Sequence, residues 1–205
     1  MMQLIMPEYY GEFVNDRAEM HRLRYRAFKQ RLDWTVEVSG DMEVDEFDVL
    51  RPVHLLNRWG AGQIQSCVRL LPSTGATMLR DAFPILLDGQ PAPRSDWIWR
   101  AADSRSMFPR MRRRAVELLL PLTCCLRAFG LSIELIEIVT VTDARMGRIL
   151  RRAGWPLRRV GKARPLGNTT AVAGYLEVPS DGLDRIRKAQ ISGPVLWAPV
   201  IQVAA

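Results

Sequence analysis

The spacing of apolar residues divides the first third of the chain into a helix, a loop and two strands. Residues 15–31 carry apolar side chains every three or four positions, with arginines between them, which predicts an amphipathic helix. Residues 34–49 are acidic and have no period, so we expect an ordered loop. Residues 53–59 and 63–71 predict two strands joined as a hairpin at Gly60-Ala61-Gly62. The inner face of the predicted helix holds Met20, Leu23, Ala27 and Phe28.

The rest of the chain alternates between strands and helices. Asp143 suits a helix N-cap, and Gly154 ends the helix that follows it. This alternation is typical of an α/β layer fold, and 205 residues with 48% apolar content predict a single domain over residues 1–205. The elements predicted here are a short helix at 78–87 broken at Pro84, a strand at 134–142, a helix at 144–153, a strand at 169–178 and a short helix at 181–190.

Arginine dominates the charge of the chain. The formal net charge is +7 and the pI is about 9.9, which predicts an acidic partner such as nucleic acid, an anionic membrane or an acidic carrier protein. Charge alone does not distinguish these partners from a basic surface that binds none. Residues 1–10 have no basic start and Glu8 interrupts their apolar run, so we expect no signal peptide there, and no stretch of about 18 apolar residues exists, so no membrane insertion is expected.

Cysteine and histidine are scarce in this sequence. The three cysteines are Cys67, Cys124 and Cys125, an odd number with one adjacent pair, which argues against a disulfide framework and favours a reducing cytoplasm. The only histidines are His21 and His54, and no spacing resembles a zinc site. We therefore expect no metal.

Four charged residues in the first third form a candidate cluster: Arg24, Asp45, Asp48 and Arg69. As exposed pairs they would be surface salt bridges of little energetic value. Arg69, however, falls within the apolar strand segment 67–71, where a charge needs a partner to be tolerated. Asp45 or Asp48 would supply that partner, and charges of both signs suit a zwitterionic small molecule.

Phe28 and Trp34 flank the acidic loop. Aromatic residues at such positions mostly belong to the core, but a ring face also attracts a cation, so this pair could cover an adenosyl group or a sulfonium. No Gly-x-Gly-x-x-Gly pattern follows a strand, which argues against a Rossmann-type nucleotide site.

The order and spacing of these residues resemble the acyl-homoserine-lactone synthases, which make the diffusible signal of bacterial quorum sensing. The matching positions extend over residues 20–99 and 130–174. The segment 78–84, which includes Phe83, also fits the family pattern. Six residues fall where the family has a characteristic residue: Arg24, Phe28, Trp34, Asp45, Asp48 and Arg69.

The resemblance implies an N-acyltransferase-like three-layer sandwich, a mixed β-sheet with helices on both faces. It implies two substrates, S-adenosyl-methionine and an acyl group on acyl carrier protein, a methylthioadenosine product, and no cofactor or nucleic-acid partner. The open alternatives are an N-acyltransferase that uses acyl-coenzyme A and a non-enzymatic basic binding protein. The implied catalytic set is Arg24, Asp45, Asp48 and Arg69, and the implied substrate contacts are Phe28, Trp34, Phe83 and Thr140.

Thr140 falls where members of the family that favour 3-oxo acyl chains carry a threonine. Alternation places Thr140 and Thr142 on one side of the predicted strand and the intervening valines on the other. Its hydroxyl would donate a hydrogen bond to the 3-oxo group. A threonine chosen only for its preference for strands is an equally good explanation.

The chain departs from the family pattern after Trp99. The family continues with Glu, any residue, Ser or Thr, Arg and Phe, and that Glu is the expected base for amine deprotonation. Aligned on Trp99, the base position holds Arg100; aligned on Ser104-Arg105, it holds Ala102. Neither accepts a proton at neutral pH, and Asp103 is a shorter carboxylate one position away.

A shifted reading frame explains this departure better than substitution does, which we treat as a hypothesis. With suitably chosen synonymous codons, deleting one nucleotide after the Trp99 codon would convert Trp-Glu-Ser-Ser-Arg-Phe into the observed Trp-Arg-Ala-Ala-Asp-Ser, and this hypothesis requires a second, compensating shift before Gly130. Residues 110–114 and the pair Cys124-Cys125 would then be out of frame, so we expect the helix between to match its core poorly. The nucleotide sequence between the Trp99 and Gly130 codons tests this hypothesis.

Overall fold

The computed structural model describes residues 2–59, 63–105 and 115–178, and within them an eight-stranded sheet forms the centre of the fold. The sheet order is β1-β4-β5-β6-β7-β10-β8, with β9 also paired to β10. The strands are β1 (Met2–Ile5), β2 (Val38–Ser39), β3 (Met42–Glu43), β4 (Val53–Trp59), β5 (Gln63–Pro72), β6 (Ile98–Arg105), β7 (Glu137–Asp143), β8 (Arg158–Arg159), β9 (Arg164–Leu166) and β10 (Thr169–Glu177), of which β2 and β3 form a separate hairpin.

Helices cover both faces of this sheet, which confirms the three-layer α/β fold. Helices α3 and α4 bury Leu126 and Leu150 against one face, together with Leu70 and Ile138 of the strands. Helix α1 and the segment after it pack on the other face in two smaller clusters. The helices are α1 (Val14–Arg24), which continues as a π-helix over Tyr25–Arg31, α2 (Met78–Asp81), α3 (Ala115–Ser132) and α4 (Ala144–Arg152).

Most elements predicted from the sequence are present. The first helix buries its predicted inner face, and β4 pairs with β5 in an antiparallel hairpin whose turn lies outside the described residues. Asp143 caps α4, accepting a hydrogen bond of 2.8 Å from the backbone N–H of Met146. The predicted strand at 134–142 begins later, at Glu137. The predicted helix at 181–190 lies outside the described residues.

Helix α3 matches its core better than the shifted-frame hypothesis expects. Leu122, Cys125 and Phe129 belong to the largest apolar cluster, so the expectation of a poor match is wrong for the part of the helix whose side chains are described. A cysteine behaves as a small apolar residue when buried. The hydroxyl of buried Thr123 is satisfied by donating to the carbonyl of Leu120 at 3.0 Å. Residues 110–114 lie outside the described part.

Strands β6 and β7 run parallel and then part. Their ladder consists of four pairs, from Ile98 opposite Glu137 to Ala101 opposite Thr140. Both strands continue beyond this point, to Arg105 and Asp143, without pairing with each other in the described residues. The opening between them lies at the middle of the sheet. None of the helices described here has the length and apolar character needed to cross a membrane.

Candidate active site

Five charged side chains form a buried ionic network between α1 and β5. Arg24, 1% exposed, places Nη2 2.5 Å from Oε2 of Glu43 and Nη1 3.0 Å from Oδ1 of Asp48. Arg69 binds Asp45 in a bidentate manner, with Nη1–Oδ1 and Nη2–Oδ2 distances of 2.5 and 2.8 Å. Its Nη1 also lies 3.0 Å from Oδ1 of Asp48, which therefore joins the two arginines.

The structure thus brings together all four charged residues predicted from the sequence, and it adds Glu43. Glu43 is fully buried, yet it stands in a segment rich in exposed acids, so residue type alone could not single it out. The signal that could have found it is its position two residues before Asp45. Glu43 ends strand β3, and in extended backbone a spacing of two residues puts side chains on the same side.

The carboxylates of the network also shape the loop that carries them. Asp48 accepts a hydrogen bond from the backbone N–H of Asp45, and Asp45 accepts one from the N–H of Phe47, each at 3.0 Å. Such side-chain-to-backbone bonds fix tight turns. The loop geometry and the arginine contacts therefore depend on the same two carboxylates, and in Asp45 on the same oxygen atom, Oδ1.

The network fixes the charge states of its members. Burial alone would lower the pKa of Arg24, but Glu43, Asp48 and Asp45 outweigh it and raise that pKa. Burial would likewise raise the pKa of Asp48, yet Arg24 and Arg69 hold it well below its usual range. Both groups are consequently charged at neutral pH. Burial raises the pKa of Glu43, and the nearby arginines only partly oppose this effect.

One part of the network has the residue types of a metal site. Ligand atoms of His21, Glu43 and Asp48 lie within 4.8 Å of one another. The guanidinium of Arg24 contacts both carboxylates, and Nδ1 of His21 lies 2.9 Å from the backbone carbonyl oxygen of Glu43. A cation already occupies the position between these carboxylates, and it is an arginine.

A cavity that is partly open to solvent lies beside the network. Arg69 is the member of the network that lines it. Phe28 and Trp34 form one wall with stacked rings, 5.4 Å between centroids, and Phe83 packs edge-on against Trp34 from behind. The remaining lining residues are Leu71, Thr77, Met78, Leu79, Pro93, Arg100, Ala101, Ala102, Val139, Thr140 and Val141.

Alternation along β6 places both candidate base positions at this cavity. Arg100 and Ala102 line it, opposite Leu71 and Arg69 of β5, whereas Ala101 belongs to the core on the other face. Thus either alignment leaves a cation or a methyl group where a carboxylate is expected. The side chain of Asp103 lies outside the described residues.

Ala101 and Thr140 reach the cavity from the opposite face of the sheet. They are the last pair of the ladder between β6 and β7, so the cavity extends into the opening between the two strands. The hydroxyl of Thr140 lies 3.5 Å from the backbone carbonyl of Val141. This weak contact leaves the hydroxyl available to a ligand.

Arg100 is the unusual residue of the cavity. Its side chain is 9% exposed, and its Nε, Nη1 and Nη2 atoms are buried without a hydrogen-bond partner among the described residues. Its guanidinium lies 4.9 Å from the centroid of the Phe47 ring. Burial, with repulsion from Arg69, lowers the pKa of Arg100 to about 10, so it is a cation at neutral pH.

Comparisons with known proteins agree on one family. The sequence model of the autoinducer synthases matches residues 10–186. The acyl-homoserine-lactone synthase of Agrobacterium fabrum is 36% identical over 206 residues, covering 98% of this chain and 95% of that protein. The acyl-homoserine-lactone synthase of Pseudomonas aeruginosa is 33% identical and covers 78% of this chain and 82% of its own length.

Solved structures show the same architecture. The AHL synthase LasI superposes with a TM-score of 0.78 at 31% identity, covering 87% of this chain and 90% of that one. The CoA-dependent acyl-homoserine lactone synthase BjaI, solved with MTA, gives a TM-score of 0.82 over 96% of this chain and 92% of its own. At 21% identity, BjaI supports the fold alone.

Replacing the unpaired guanidinium should stabilise the protein. We expect Arg100→Leu to raise the free energy of unfolding by about 1–3 kcal/mol, because a buried cation without hydrogen bonds is unfavourable. Urea denaturation measures this change. Arg152→Leu, at an exposed position on α4, is the matched control and should change stability by less than about 0.5 kcal/mol. A loss of stability in Arg100→Leu would contradict the absence of a stabilising partner.

Acid should weaken the network through Asp48. The pKa of Asp48 is lower in the folded than in the unfolded chain. Its contribution to the free energy of unfolding is therefore complete above the unfolded pKa of about 4 and is lost as the pH falls towards the folded pKa. We expect Asp48→Asn to lower the urea midpoint at pH 7 and to approach the unsubstituted protein below about pH 4. The exposed carboxylate of Asp41 provides the control Asp41→Asn. A difference that does not change with pH would contradict the ionic role.

Proposed function

This chain belongs to the autoinducer synthase family, and we propose that its cavity is built to make an acyl-homoserine lactone from S-adenosyl-methionine and an acyl group on acyl carrier protein. The observation that carries this proposal is the buried network of Arg24, Arg69, Asp45 and Asp48 at the edge of an aromatic-walled cavity. It supplies a fixed guanidinium and fixed carboxylates next to a wall suited to an adenosyl group and a sulfonium.

The reaction has two steps in this proposal. The amine of S-adenosyl-methionine loses a proton and attacks the acyl thioester, forming an amide and releasing the carrier thiol. The substrate carboxylate then displaces the sulfonium from the γ-carbon, which closes the lactone and releases methylthioadenosine. S-adenosyl-methionine is consumed as a substrate, so the proposal includes no resident cofactor.

The site residues have two roles in this proposal: some would contact the substrate, and others hold those residues in position. Arg69 lines the cavity and would contact the charged end of S-adenosyl-methionine, while Arg24, Asp45 and Asp48 hold it from behind. Precise positioning of reactants accounts for much of enzymatic rate enhancement. The stacked rings of Phe28 and Trp34 would cover the sulfonium side, and Phe83 holds Trp34 in place.

This chain has no carboxylate at either position where the family pattern places the proton acceptor, since these positions hold Arg100 and Ala102. A missing general base typically reduces the rate by about 10²- to 10⁴-fold. Arg100 would also repel the sulfonium, and Ala102 has no proton-accepting group. We therefore propose that the chain as written retains the substrate cavity of the family but turns over slowly.

The acyl donor is proposed on charge. An excess of arginine suits an acidic carrier protein, and both substrates place the reaction in the cytoplasm. Acyl-coenzyme A is the second candidate, favoured by a TM-score of 0.77 and 25% identity to MesI, a structure described as a CoA-dependent acyl-homoserine lactone synthase. Assays with each donor in turn separate the two.

Restoring the family segment should restore synthesis. Replacing residues 100–110 with Glu-Ser-Ser-Arg-Phe-Ala-Val-Asp-Val-Pro-Ala, together with the following helix, should raise lactone formation by about 10²-fold or more, because a carboxylate then faces the cavity. Arg100→Glu alone should not recover it, since the neighbouring residues remain displaced. Methylthioadenosine release and mass spectrometry of the lactone measure both.

The restored protein also tests the network. Within it, Arg69→Ala should abolish synthesis and reduce stability, because it leaves buried carboxylates unpaired. Asp45→Ala should likewise reduce both synthesis and stability. Normal turnover in both variants would remove the network from the reaction, and robust synthesis by the unmodified chain would show that the base lies at neither Arg100 nor Ala102.

Thr140 should control the oxidation state of the bound acyl chain. If its hydroxyl donates to a 3-oxo group, the restored protein should make mainly 3-oxo lactones and Thr140→Val should reduce that preference, by about tenfold for one lost hydrogen bond in a buried site. Mass spectrometry of products from mixed acyl donors reads the ratio. If the products carry unsubstituted acyl chains and Thr140→Val does not change them, this threonine serves only to form the strand.

A further inference from the structure

The guanidinium of Arg100 is a buried donor group without an acceptor. An arginine carries five N–H donors in a planar fork, and none of the three nitrogen atoms of Arg100 has a hydrogen-bond partner in the described part of the chain. The side chain is more than nine-tenths buried and lines the cavity. Such a group is unfavourable in a folded protein unless something pairs with it.

Neighbouring carboxylates are already committed to other partners. Both oxygens of Asp45 are bound by Arg69, and Asp48 is shared between Arg24 and Arg69. Asp81 is bound by Arg80 and by the backbone N–H of Thr77. The ring of Phe47, which the guanidinium of Arg100 contacts, supplies no hydrogen-bond acceptor of comparable strength. In the part of the chain that the structure describes, these neighbours leave the guanidinium without an acceptor, and a ligand in the cavity can supply one.

The rest of the cavity indicates what that acceptor is attached to. Apart from Arg69, Arg100 and two threonines, the lining is apolar, with aromatic rings on one wall and aliphatic side chains of α2 and β7 on the other. An inorganic anion would gain nothing from such walls. A carboxylate joined to an apolar or aromatic body would pair with the guanidinium fork and bury its body against them.

We propose that Arg100 gives the cavity a carboxylate-binding subsite whose ligand carries an apolar or aromatic body. Two sources share this chemistry. One is the carboxylate of S-adenosyl-methionine, an identification that rests on the proposed function. The other is a free medium-chain fatty acid, which would occupy the cavity as a ligand that does not react. In either case Arg100, at a position where the family pattern has a carboxylate, selects for negative charge.

Matched ligand pairs test the subsite by calorimetry. Octanoate and octanol differ at the head group, and S-adenosyl-methionine and its decarboxylated form differ only by the carboxylate. We expect Arg100→Gln to weaken the carboxylate member of at least one pair by about tenfold or more and to leave the other member unchanged. Arg100→Lys should restore part of the affinity, because it keeps the charge without the fork. The exposed Arg152→Gln is the control for lost charge.

The outcomes separate this inference from the proposed function. Carboxylate-selective binding of octanoate that depends on Arg100, with no binding of S-adenosyl-methionine or its decarboxylated form, supports the subsite and counts against the proposed substrate. Tight binding of S-adenosyl-methionine that Arg100→Gln does not weaken, with octanoate bound no better than octanol, overturns the subsite and leaves the proposed function standing. Absence of Arg100-dependent binding in both pairs at millimolar concentrations also overturns it.

Discussion

Pairing between buried arginines and carboxylates is the interaction on which the first half of the molecule depends. Arg24 ends helix α1, Arg69 lies in β5, and the carboxylates come from the segment between them. Removing one partner of such a buried group leaves an uncompensated charge and destabilises a protein by about 3–5 kcal/mol. The network therefore joins a helix, a loop and a strand, in addition to the apolar contacts of Met20 and Leu23 of α1 with Cys67 of β5, and it sets the position of the cavity wall.

The sequence predicted this part of the fold well because its signals are local. Apolar spacing identified the first helix, and Arg69 stood out as a charge inside an apolar strand that required a partner. The sequence did not identify Glu43 as a member of the network, because an acid in an acidic loop is expected to be exposed. Only the path of the backbone shows that it is buried. Long-range pairing, which brings Arg24 to Asp48 across 24 positions, is expressed in the sequence only as residue types.

The central strand β6 was missed for a related reason. Its residues Trp99, Arg100, Ala101 and Ala102 do not alternate between apolar and polar in the usual way, because one face of the strand meets the core and the other meets a cavity. The residue types on the side of a strand that faces a binding site depend on contacts with the ligand rather than on packing in the core. The same geometry makes the choice between the two alignments after Trp99 unimportant for the site. Positions 100 and 102 both face the cavity, so a base at either position would reach it.

The double use of the loop carboxylates constrains how such a site evolves. Asp45 and Asp48 hold the arginines and also accept backbone hydrogen bonds from their own turn. A substitution that alters the charge at either position therefore alters the shape of the loop at the same time, and a lineage that changes one must repair the other. In the described part of the chain, Arg100, Ala102 and Thr140 line the cavity without a hydrogen bond to this loop, so a substitution at one of them changes the cavity and leaves the ionic framework in place.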